Sequence, residues 1–238
     1  MDNMVNTLCV VQARLTSSRL PNKVLMTLGE SNLSILEHVY QRLNKSRYID
    51  KVVFAIPDSA MNNPLAEFMD SKEIPNTRGC EDDVLDRFYQ CAKQYAPKVV
   101  VRATCDNPFV DWELGDKLIE SLGNNDYVGC KDAPLGTSLE VFTMQSLEEA
   151  HNNATTEPEH EHVTPYIIQK MKSATIPYNG LSYRLTVDEE RDFYVADTLY
   201  MALYKGEPIP NCVVYDYLST HKELADYNCK VHQKQLGE

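Results

Sequence analysis

Three cationic side chains follow the first apolar run of an acidic chain. The segment VQARLTSSRLPNKVL, residues 11–25, carries Arg14, Arg19 and Lys23 and no acid, although the formal net charge of the chain is -12. Cations, hydroxyl groups and backbone N–H groups are the donors that bind phosphate oxygens. The segment therefore predicts a site for a phosphate chain, with a solvated basic loop as the alternative. A P-loop is excluded, because no Gly-Lys-Ser/Thr motif is present.

Two carboxylates are candidate metal ligands. Asp106 follows the apolar run KVVVRAT, and Asp188 comes directly after the run YRLTV. Mg²⁺ takes one or two carboxylates together with phosphate oxygens and water, so a single well-placed Asp is enough to anchor it. From the residues alone, a turn at Asp106 and a helix N-cap at Asp188 are the alternatives.

Other clusters of titratable residues have a structural explanation. Glu81, Asp82 and Asp83 are the acids that a helix N-terminus favours. His160 and His162 flank Glu161 in a pattern found at zinc sites, but no third ligand follows at a typical spacing. The sequence therefore does not predict zinc.

The apolar pattern predicts the elements that position these residues. TLCVV, KVVFAI, KVVVRAT and YRLTV are typical of buried strands, and PLGTSLEVFTM contains a further strand. Helices are predicted in SNLSILEHVYQRLNKS, where Ser34 and Glu37 form a capping box, in EDDVLDRFYQCAKQYA and in DEERDFYVADTLYMALY. EHEHVTPYIIQKM predicts a helix kinked or begun at Pro165. The alternation predicts a three-layer α/β/α fold with a mostly parallel sheet, whose strand ends form the ligand crevice.

Composition limits the class of protein. With 238 residues and 43% hydrophobic content, we expect one domain over residues 1–238. A pI near 5.0 argues against a nucleic-acid partner. No run approaches the roughly 18 apolar residues of a membrane span, and no signal peptide is recognisable, so we expect no membrane partner and no export. Seven scattered cysteines predict reduced thiols and a cytoplasmic protein.

The motif in residues 11–25 also carries a family resemblance. It resembles the opening of the cytidylyltransferases that make CMP-activated acid sugars, most closely those of the spore-coat-polysaccharide type, and the CMP-Kdo synthetases share a similar R-x-x-S-S/T-R-L-P-x-K pattern. EDDVLDRFYQCAK, VVVRATCDNPFVD, LEVFTMQSLEEA, EHVTPYI and RLTVDEERDF follow in family order, to about residue 200. The resemblance implies the nucleotide-diphospho-sugar transferase fold.

The resemblance implies an activity and a set of site residues. The activity is Mg²⁺-dependent transfer of CMP from CTP, or of another nucleotide from its NTP, to a sugar, sugar acid or related phosphorylated acceptor for surface polysaccharide or glycan precursors, with release of pyrophosphate. The implied catalytic residues are Arg14, Lys23 and Asp106, and the implied metal ligands are Asp106 and Asp188. The implied nucleotide-binding residues are Gln12, Ala13, Arg14, Arg19, Lys23, Arg78, Gly79 and Thr104. The implied acceptor-binding residues are Glu140, His162 and Arg184, with an edge salt bridge as the alternative for Arg184.

The resemblance also divides the chain. It implies a nucleotide-binding part at 1–130, an acceptor-binding part at 131–225 and a tail at 226–238. Related enzymes are often dimers, so a homodimer with its contact in the acceptor-binding part is left open.

Four positions depart from the family pattern. Thr16, Asn22 and Cys105 stand where the family usually has Gly, and Ser138 stands where it often has Asp. Asn tolerates the left-handed backbone that Gly supplies, whereas Thr does so poorly. Two alternatives remain: a glycosyltransferase that uses a sugar nucleotide, although the usual Asp-x-Asp motif is absent, and an inactive nucleotide-binding relative.

Overall fold

A mostly parallel sheet forms the middle layer of the protein. The computed structural model describes residues 5–178 and 180–233. Within these residues the strands are β1 (Thr7–Gln12), β2 (Lys51–Pro57), β3 (Asn76–Gly79), β4 (Val99–Thr104), β5 (Tyr127–Lys131), β6 (Glu140–Thr143) and β7 (Ser173–Pro177). Their order is β3-β2-β1-β4-β6-β5-β7, and β6 alone among these described strands runs antiparallel to its neighbours. The predicted mostly parallel sheet is confirmed.

Helices cover both faces of this sheet. Those in the described residues are α1 (Ile35–Leu43), α2 (Asn63–Ser71), α3 (Val84–Tyr95), α4 (Trp112–Leu122), α5 (Met144–Asn153), α6 (Glu157–His162), α7 (Pro165–Lys170), α8 (Glu190–Leu203), α9 (Asn211–Thr220) and α10 (Lys222–Asp226). Short 3₁₀ turns lie at Lys23–Leu25 and Ala60–Asn62.

The alternation of side chains along each strand creates two separate cores. In β1, Cys9 and Val11 pack in a core with α1, α2, α4, α8 and α9. Leu8 and Val10 point to the other face, where they pack with α3, α5 and α7. Successive strand residues face opposite sides of a sheet, so a continuous apolar run requires cover on both faces. The predicted three-layer α/β/α architecture is confirmed.

The sequence predicted several helix starts correctly. The Ser34–Glu37 capping box is present: the backbone N–H of Glu37 donates to Ser34 Oγ at 3.2 Å, and the Ser34 N–H donates to Glu37 Oε2 at 2.8 Å. Asp83 caps α3 through the backbone N–H of Asp86, at 2.8 Å. These side chains satisfy amides that have no partner inside the helix.

The predicted strand at YRLTV is wrong. In the described residues this segment makes one isolated bridge, between Leu135 and Arg184, and belongs to no strand. Its amides are bonded to loops instead: the Leu185 N–H donates to the Leu135 carbonyl at 2.7 Å, and the Val187 N–H donates to the Asp106 carbonyl at 2.8 Å. The segment crosses the ends of the sheet and brings Asp188 next to the loop after β4.

The predicted helix at EHEHVTPYIIQKM is divided in two. α6 ends at His162, Val163 takes a left-handed backbone with φ 70°, and α7 begins at Pro165. Proline suits a first helical position because its missing N–H would have no partner there.

The C-terminal segment docks on the domain as far as it is described. Asn228, 1% exposed, donates from Nδ2 to the Arg184 carbonyl at 3.1 Å and to Asp192 Oδ1 at 2.8 Å. Residues 234–238 of the predicted tail lie outside the described residues. The division of the domain into nucleotide and acceptor parts stays a prediction.

Two further expectations concern thiols and membranes. All seven cysteines are free, as the scattered pattern predicted. Across residues 5–178 and 180–233, no helix has the length and apolar character needed to cross a bilayer.

Candidate active site

A cleft of about 210 Å³ opens at the carboxyl ends of β1 and β4. Its wall brings together residues that are far apart in the sequence. Of the predicted site residues, those lining it are Gln12, Ala13, Arg14, Arg19, Lys23, Thr104, Asp106, His162 and Asp188. The predicted convergence of the first loop with the two candidate metal ligands is therefore present in the structure.

The loop after β1 is held by apolar anchors and backbone hydrogen bonds. Leu15, Leu20 and Val24 are buried, and the Leu15 N–H donates to Asn62 Oδ1 at 2.9 Å. Asn22 has φ 58°, the left-handed conformation that Asn tolerates in place of Gly. Thr16 is not among the described residues with positive φ, so its side chain is compatible with the backbone there.

Lys23 lies between the two candidate metal ligands. Its ammonium group donates to Asp106 Oδ2 at 3.0 Å, to Asp188 Oδ1 at 3.1 Å and to the Val187 carbonyl at 2.7 Å. Lys23 is only 7% exposed. A buried ammonium needs such partners to compensate for lost hydration, so Lys23 fixes the first loop against both carboxylate-bearing segments.

This environment keeps the network charged. Burial acts against the ammonium form of Lys23, but the carboxylates of Asp106 and Asp188 outweigh burial and raise the pKa of Lys23. Burial likewise acts against the carboxylate of Asp106, but the Lys23 charge and the hydroxyl of Thr104, 2.6 Å from Oδ1, lower the pKa of Asp106.

Two arginines also contact Asp188. Arg19 Nη2 lies 3.1 Å from Oδ1, and Arg184 Nη2 lies 2.9 Å from Oδ2. Arg184 is buried, does not line the cleft, and also pairs with Asp192 at 2.8 Å. The salt bridges of the alternative are present, since Arg184 contacts both Asp188 and Asp192. The predicted acceptor contact of Arg184 stays a prediction.

The N-cap alternative for Asp188 is wrong. The cap of α8 is Glu189, and Asp192 Oδ2 accepts from the backbone N–H groups of Asp188 and Glu189 at 3.0 and 3.2 Å. Because Asp192 accepts the hydrogen bonds of these amides, the Asp188 carboxylate is not needed as a cap. It contacts the cationic side chains instead.

Arg78 and Gly79 lie at the end of the edge strand β3 and do not line the cleft. Arg78 pairs with Asp58 at 3.1 Å and donates to Asn63 Oδ1 at 2.7 Å. The predicted base-side role of both residues stays a prediction.

Glu140 lies beside the cleft in a second cavity, of about 290 Å³, which shares Thr104 with the first. Its carboxylate pairs with Arg102 and accepts from the hydroxyls of Tyr127 and Thr164, both at 2.8 Å. Ser138 lines the same second cavity. A predicted acceptor residue thus borders the cleft without entering it.

Asp106 fits a divalent metal. Its side chain is 30% exposed and lines the cleft. No group of three or more His, Cys, Asp or Glu in the described part of the chain forms a closed metal site. Mg²⁺ does not require one, because phosphate oxygens and waters supply most of its ligands in nucleotide sites. Asp188 is the adjacent second carboxylate, but Arg19, Lys23 and Arg184 already contact it.

The cleft has one cationic residue that the sequence did not single out. Arg87, in the first turn of α3, lines it beside Arg14. The acids that precede Arg87 indicated a helix start, and that pattern gives no sign of which way the following Arg points. The sequence did hold one indication that Arg87 lies in the cleft. It is one turn into a helix that begins at the predicted ligand crevice.

Solved structures share this fold. A cytidylyltransferase from Leptospira borgpetersenii superimposes with a TM-score of 0.84 at 21% identity, over 98% of this chain and 99% of that one. CMP:2-keto-3-deoxy-manno-octonic acid synthetase complexed with CTP gives 0.63 at 13% identity, over 83% and 99%. The fold is that of the nucleotidyltransferases of the nucleotide-diphospho-sugar transferase type, as predicted.

Sequence comparison gives the family. The cytidylyltransferase family model matches residues 8–230. An uncharacterized protein of Methanocaldococcus jannaschii is 38% identical over 96% of this chain and 97% of its own. The spore coat polysaccharide biosynthesis protein SpsF of Bacillus subtilis is 33% identical over 83% and 87%. The chain belongs to the cytidylyltransferase family, and the resemblance of its motifs is confirmed.

Proposed function

We propose that this protein catalyses Mg²⁺-dependent transfer of CMP from CTP to a sugar, sugar acid or related phosphorylated acceptor, with release of pyrophosphate. The observation that carries the proposal is the Lys23 ammonium group, which lies within 3.1 Å of both Asp106 and Asp188 at the cleft. Cations for a triphosphate and carboxylates for a metal ion thus share one wall.

The chemistry follows from this arrangement. An acceptor oxygen bonds to the α-phosphorus in line as the bond to pyrophosphate breaks, and negative charge grows on the equatorial oxygens and the leaving group. Arg14, Arg19 and Lys23 line the cleft where that charge would develop. Cations fixed there stabilise the transition state more than the bound substrate. When bound at Asp106, Mg²⁺ would supply further positive charge to the phosphate oxygens.

Family membership supports CTP as the nucleotide. The related synthetase was solved with CTP, which shows that this fold accommodates the whole triphosphate in that protein. For Arg78 and Gly79 we keep the base-side role, in which the end of β3 contacts cytosine or ribose.

The acceptor and the pathway are taken from the relatives. SpsF is named for spore coat polysaccharide biosynthesis, and we infer that this protein makes an activated sugar for a surface polysaccharide or related glycan. Glu140 and His162 border the space next to the cleft, so we assign them to the acceptor. The seven free cysteines fit a reducing compartment, and we infer a cytoplasmic enzyme. A homodimer stays a possibility that rests on the family resemblance alone.

Pyrophosphate release tests the proposal. The purified protein is incubated with each NTP, Mg²⁺ and a panel of sugar, sugar-acid and sugar-phosphate acceptors. We expect pyrophosphate with CTP, its loss on addition of EDTA, and strong reduction in Asp106→Asn. Asp116→Asn is the control for loss of a carboxylate charge, since Asp116, which is more buried than Asp106, accepts from Ser46 and Arg47 away from the cleft. Folded protein that releases no pyrophosphate with any NTP would overturn the proposal.

A further inference from the structure

Arg87 is a buried cation on the wall of the cleft. It belongs to the first turn of α3, is 4% exposed and lines the same cavity as Arg14 and Lys23. α3 packs on one face of the sheet, whereas α8, which follows Asp188, packs on the other. Arg87 therefore approaches the cleft from the face that lies away from the carboxylate of Asp188.

The hydrogen bonds of Arg87 are incomplete. Nη1 donates to the carbonyls of Cys80 and Glu81, but the buried Nε has no acceptor in the described part of the protein. A buried guanidinium that keeps a free N–H loses hydration without compensation, so a nearby ligand that accepts this hydrogen bond would be strongly favoured.

The charge of Arg87 is offset by the carboxylates of Glu81 and Asp83 only at a longer range than that of an ion pair. No carboxylate forms an ion pair with Arg87 or Arg14 among the described residues. Asp83, the N-cap residue of α3, is bonded to His160 and accepts from the Asp86 amide. By contrast, the other cations of the cleft, Arg19 and Lys23, each contact Asp188.

Arg14 and Arg87 act on each other. Burial lowers the pKa of the Arg87 guanidinium, and the neighbouring charge of Arg14 lowers it further. Arg14 is exposed and Arg87 is buried, so an anion bound between them would relieve the repulsion that acts on the buried group.

Gly79 permits the close position of Arg87. A Cβ at Gly79 would lie 3.0 Å from Cγ and 3.3 Å from Cα of Arg87. The absence of a side chain at the end of β3 therefore allows α3 to bring the guanidinium into the cleft.

We propose that Arg87, together with Arg14, binds the two terminal phosphates of the nucleotide, the part that leaves as pyrophosphate. This assignment rests on the proposed nucleotidyl transfer. Two adjacent unpaired guanidinium groups match the multiple charges of a pyrophosphoryl group better than the single phosphate of a nucleoside monophosphate, and each offers a fork of donors to phosphate oxygens.

Calorimetric titration with CTP, inorganic pyrophosphate and CMP, each with Mg²⁺, tests the assignment. Arg87→Met keeps most of the apolar stem and removes the charge, and Arg87→Lys keeps the charge and removes the fork. We expect Arg87→Met to weaken the binding of CTP and of pyrophosphate by about 10- to 150-fold, the range for lost charged hydrogen bonds. The binding of CMP should weaken by less than about 3-fold. Arg87→Lys should lie between wild type and Arg87→Met.

Arg191→Met is the control, since Arg191 is exposed in the first turn of α8 and does not line the cleft. The assignment would be overturned if Arg87→Met bound CTP and CMP with equally reduced affinity, or if its affinity for pyrophosphate were unchanged. A merely structural Arg87 would affect these ligands equally, whatever their number of phosphates. If wild type binds pyrophosphate but not CTP, the proposed function fails and the pyrophosphate titrations still decide the role of Arg87.

Discussion

At the scale of single residues, the site depends on how each cation is paired. Lys23 and Arg19 are held by carboxylates, whereas Arg14 and Arg87 have none in the described residues. Residue type and spacing were sufficient to predict the role of Arg14 and Lys23 as cleft residues. They were insufficient for Arg87 and Arg184, because which cation faces the cleft and which lies behind Asp188 is decided by contacts between distant segments.

Replacement of Lys23 tests the most connected of these residues. We expect Lys23→Ala to weaken CTP binding by about 1.5 to 3 kcal/mol, as for a lost charge-assisted contact. The variant also removes the ammonium group between Asp106 and Asp188 and leaves Asp106 without its cationic partner, so its CTP affinity should depend more steeply on Mg²⁺ concentration. Steady-state kinetics and calorimetry provide the measurement.

Lys45→Ala is the control for Lys23→Ala, because Lys45 pairs with Glu207 on the exposed surface. CTP affinity and turnover that match wild type in Lys23→Ala would remove Lys23 from the site.

At the scale of elements, the segment 183–188 shows what a sequence pattern can and cannot predict about the backbone. YRLTV has the composition of a buried strand, and Leu185 and Val187 are indeed buried. However, an apolar pattern predicts burial and does not predict which segment the backbone hydrogen-bonds to. Here that segment is a loop and not a strand. The N-caps at Ser34 and Asp83 were predictable because each acts within its own turn of chain.

Gly136 controls how the segment 183–188 lies on the loop before β6. It has φ +90°, and a Cβ there would come within 2.3 Å of the Thr186 backbone N. We expect Gly136→Ala to displace residues 184–188, lower thermal stability and raise the Mg²⁺ concentration needed for activity. Gly206→Ala is the matched control, since Gly206 has φ +91° with no atom within 4 Å of the added Cβ.

Both glycine variants place an alanine at a positive φ, which costs stability in each. Only the variant at Gly136 adds a steric clash with a neighbouring segment. Differential scanning calorimetry and magnesium titration of the activity would compare them. If both variants lose the same stability and keep the same magnesium requirement, the close crossing at Gly136 does not position Asp188.

His38 couples α1 to α8 and makes stability depend on pH. Burial, and to a lesser extent the charge of Arg42, lowers the pKa of His38 to about 4. Its ring lies 4.1 Å from that of Tyr200, and Nε2 is 3.0 Å from Ser31 Oγ. The unfolded chain therefore binds a proton near its ordinary pKa of about 6.5, before the folded protein does.

The free energy of unfolding should consequently fall as the pH drops from about 6.5 to 4, by about 3 kcal/mol from this group. Urea unfolding at intervals across this range measures the slope. His38→Gln should have a shallower slope than wild type over the same interval. An identical slope in the two proteins would show that His38 is not kept neutral by its environment.

At the scale of the whole molecule, an acidic chain concentrates unpaired cations in one cleft. A formal charge of -12 gives no indication of an anion site, so the site had to be inferred from the local cluster at residues 11–25. Alternating strands and helices predicted the layers and the parallel core of the sheet. The antiparallel insertion of β6 between β4 and β5 was not predictable, because strand order depends on non-local packing.

The central claim is that the triphosphate of CTP lies between the loop after β1 and α3, with a divalent ion at Asp106. A crystal structure with CTP and Mn²⁺, which replaces Mg²⁺ and gives an anomalous signal, tests this claim most directly. We predict phosphate density in contact with Arg14 and Arg87 and an anomalous peak within bonding distance of Asp106. Phosphates bound outside this cleft, or a metal peak remote from both Asp106 and Asp188, would contradict it.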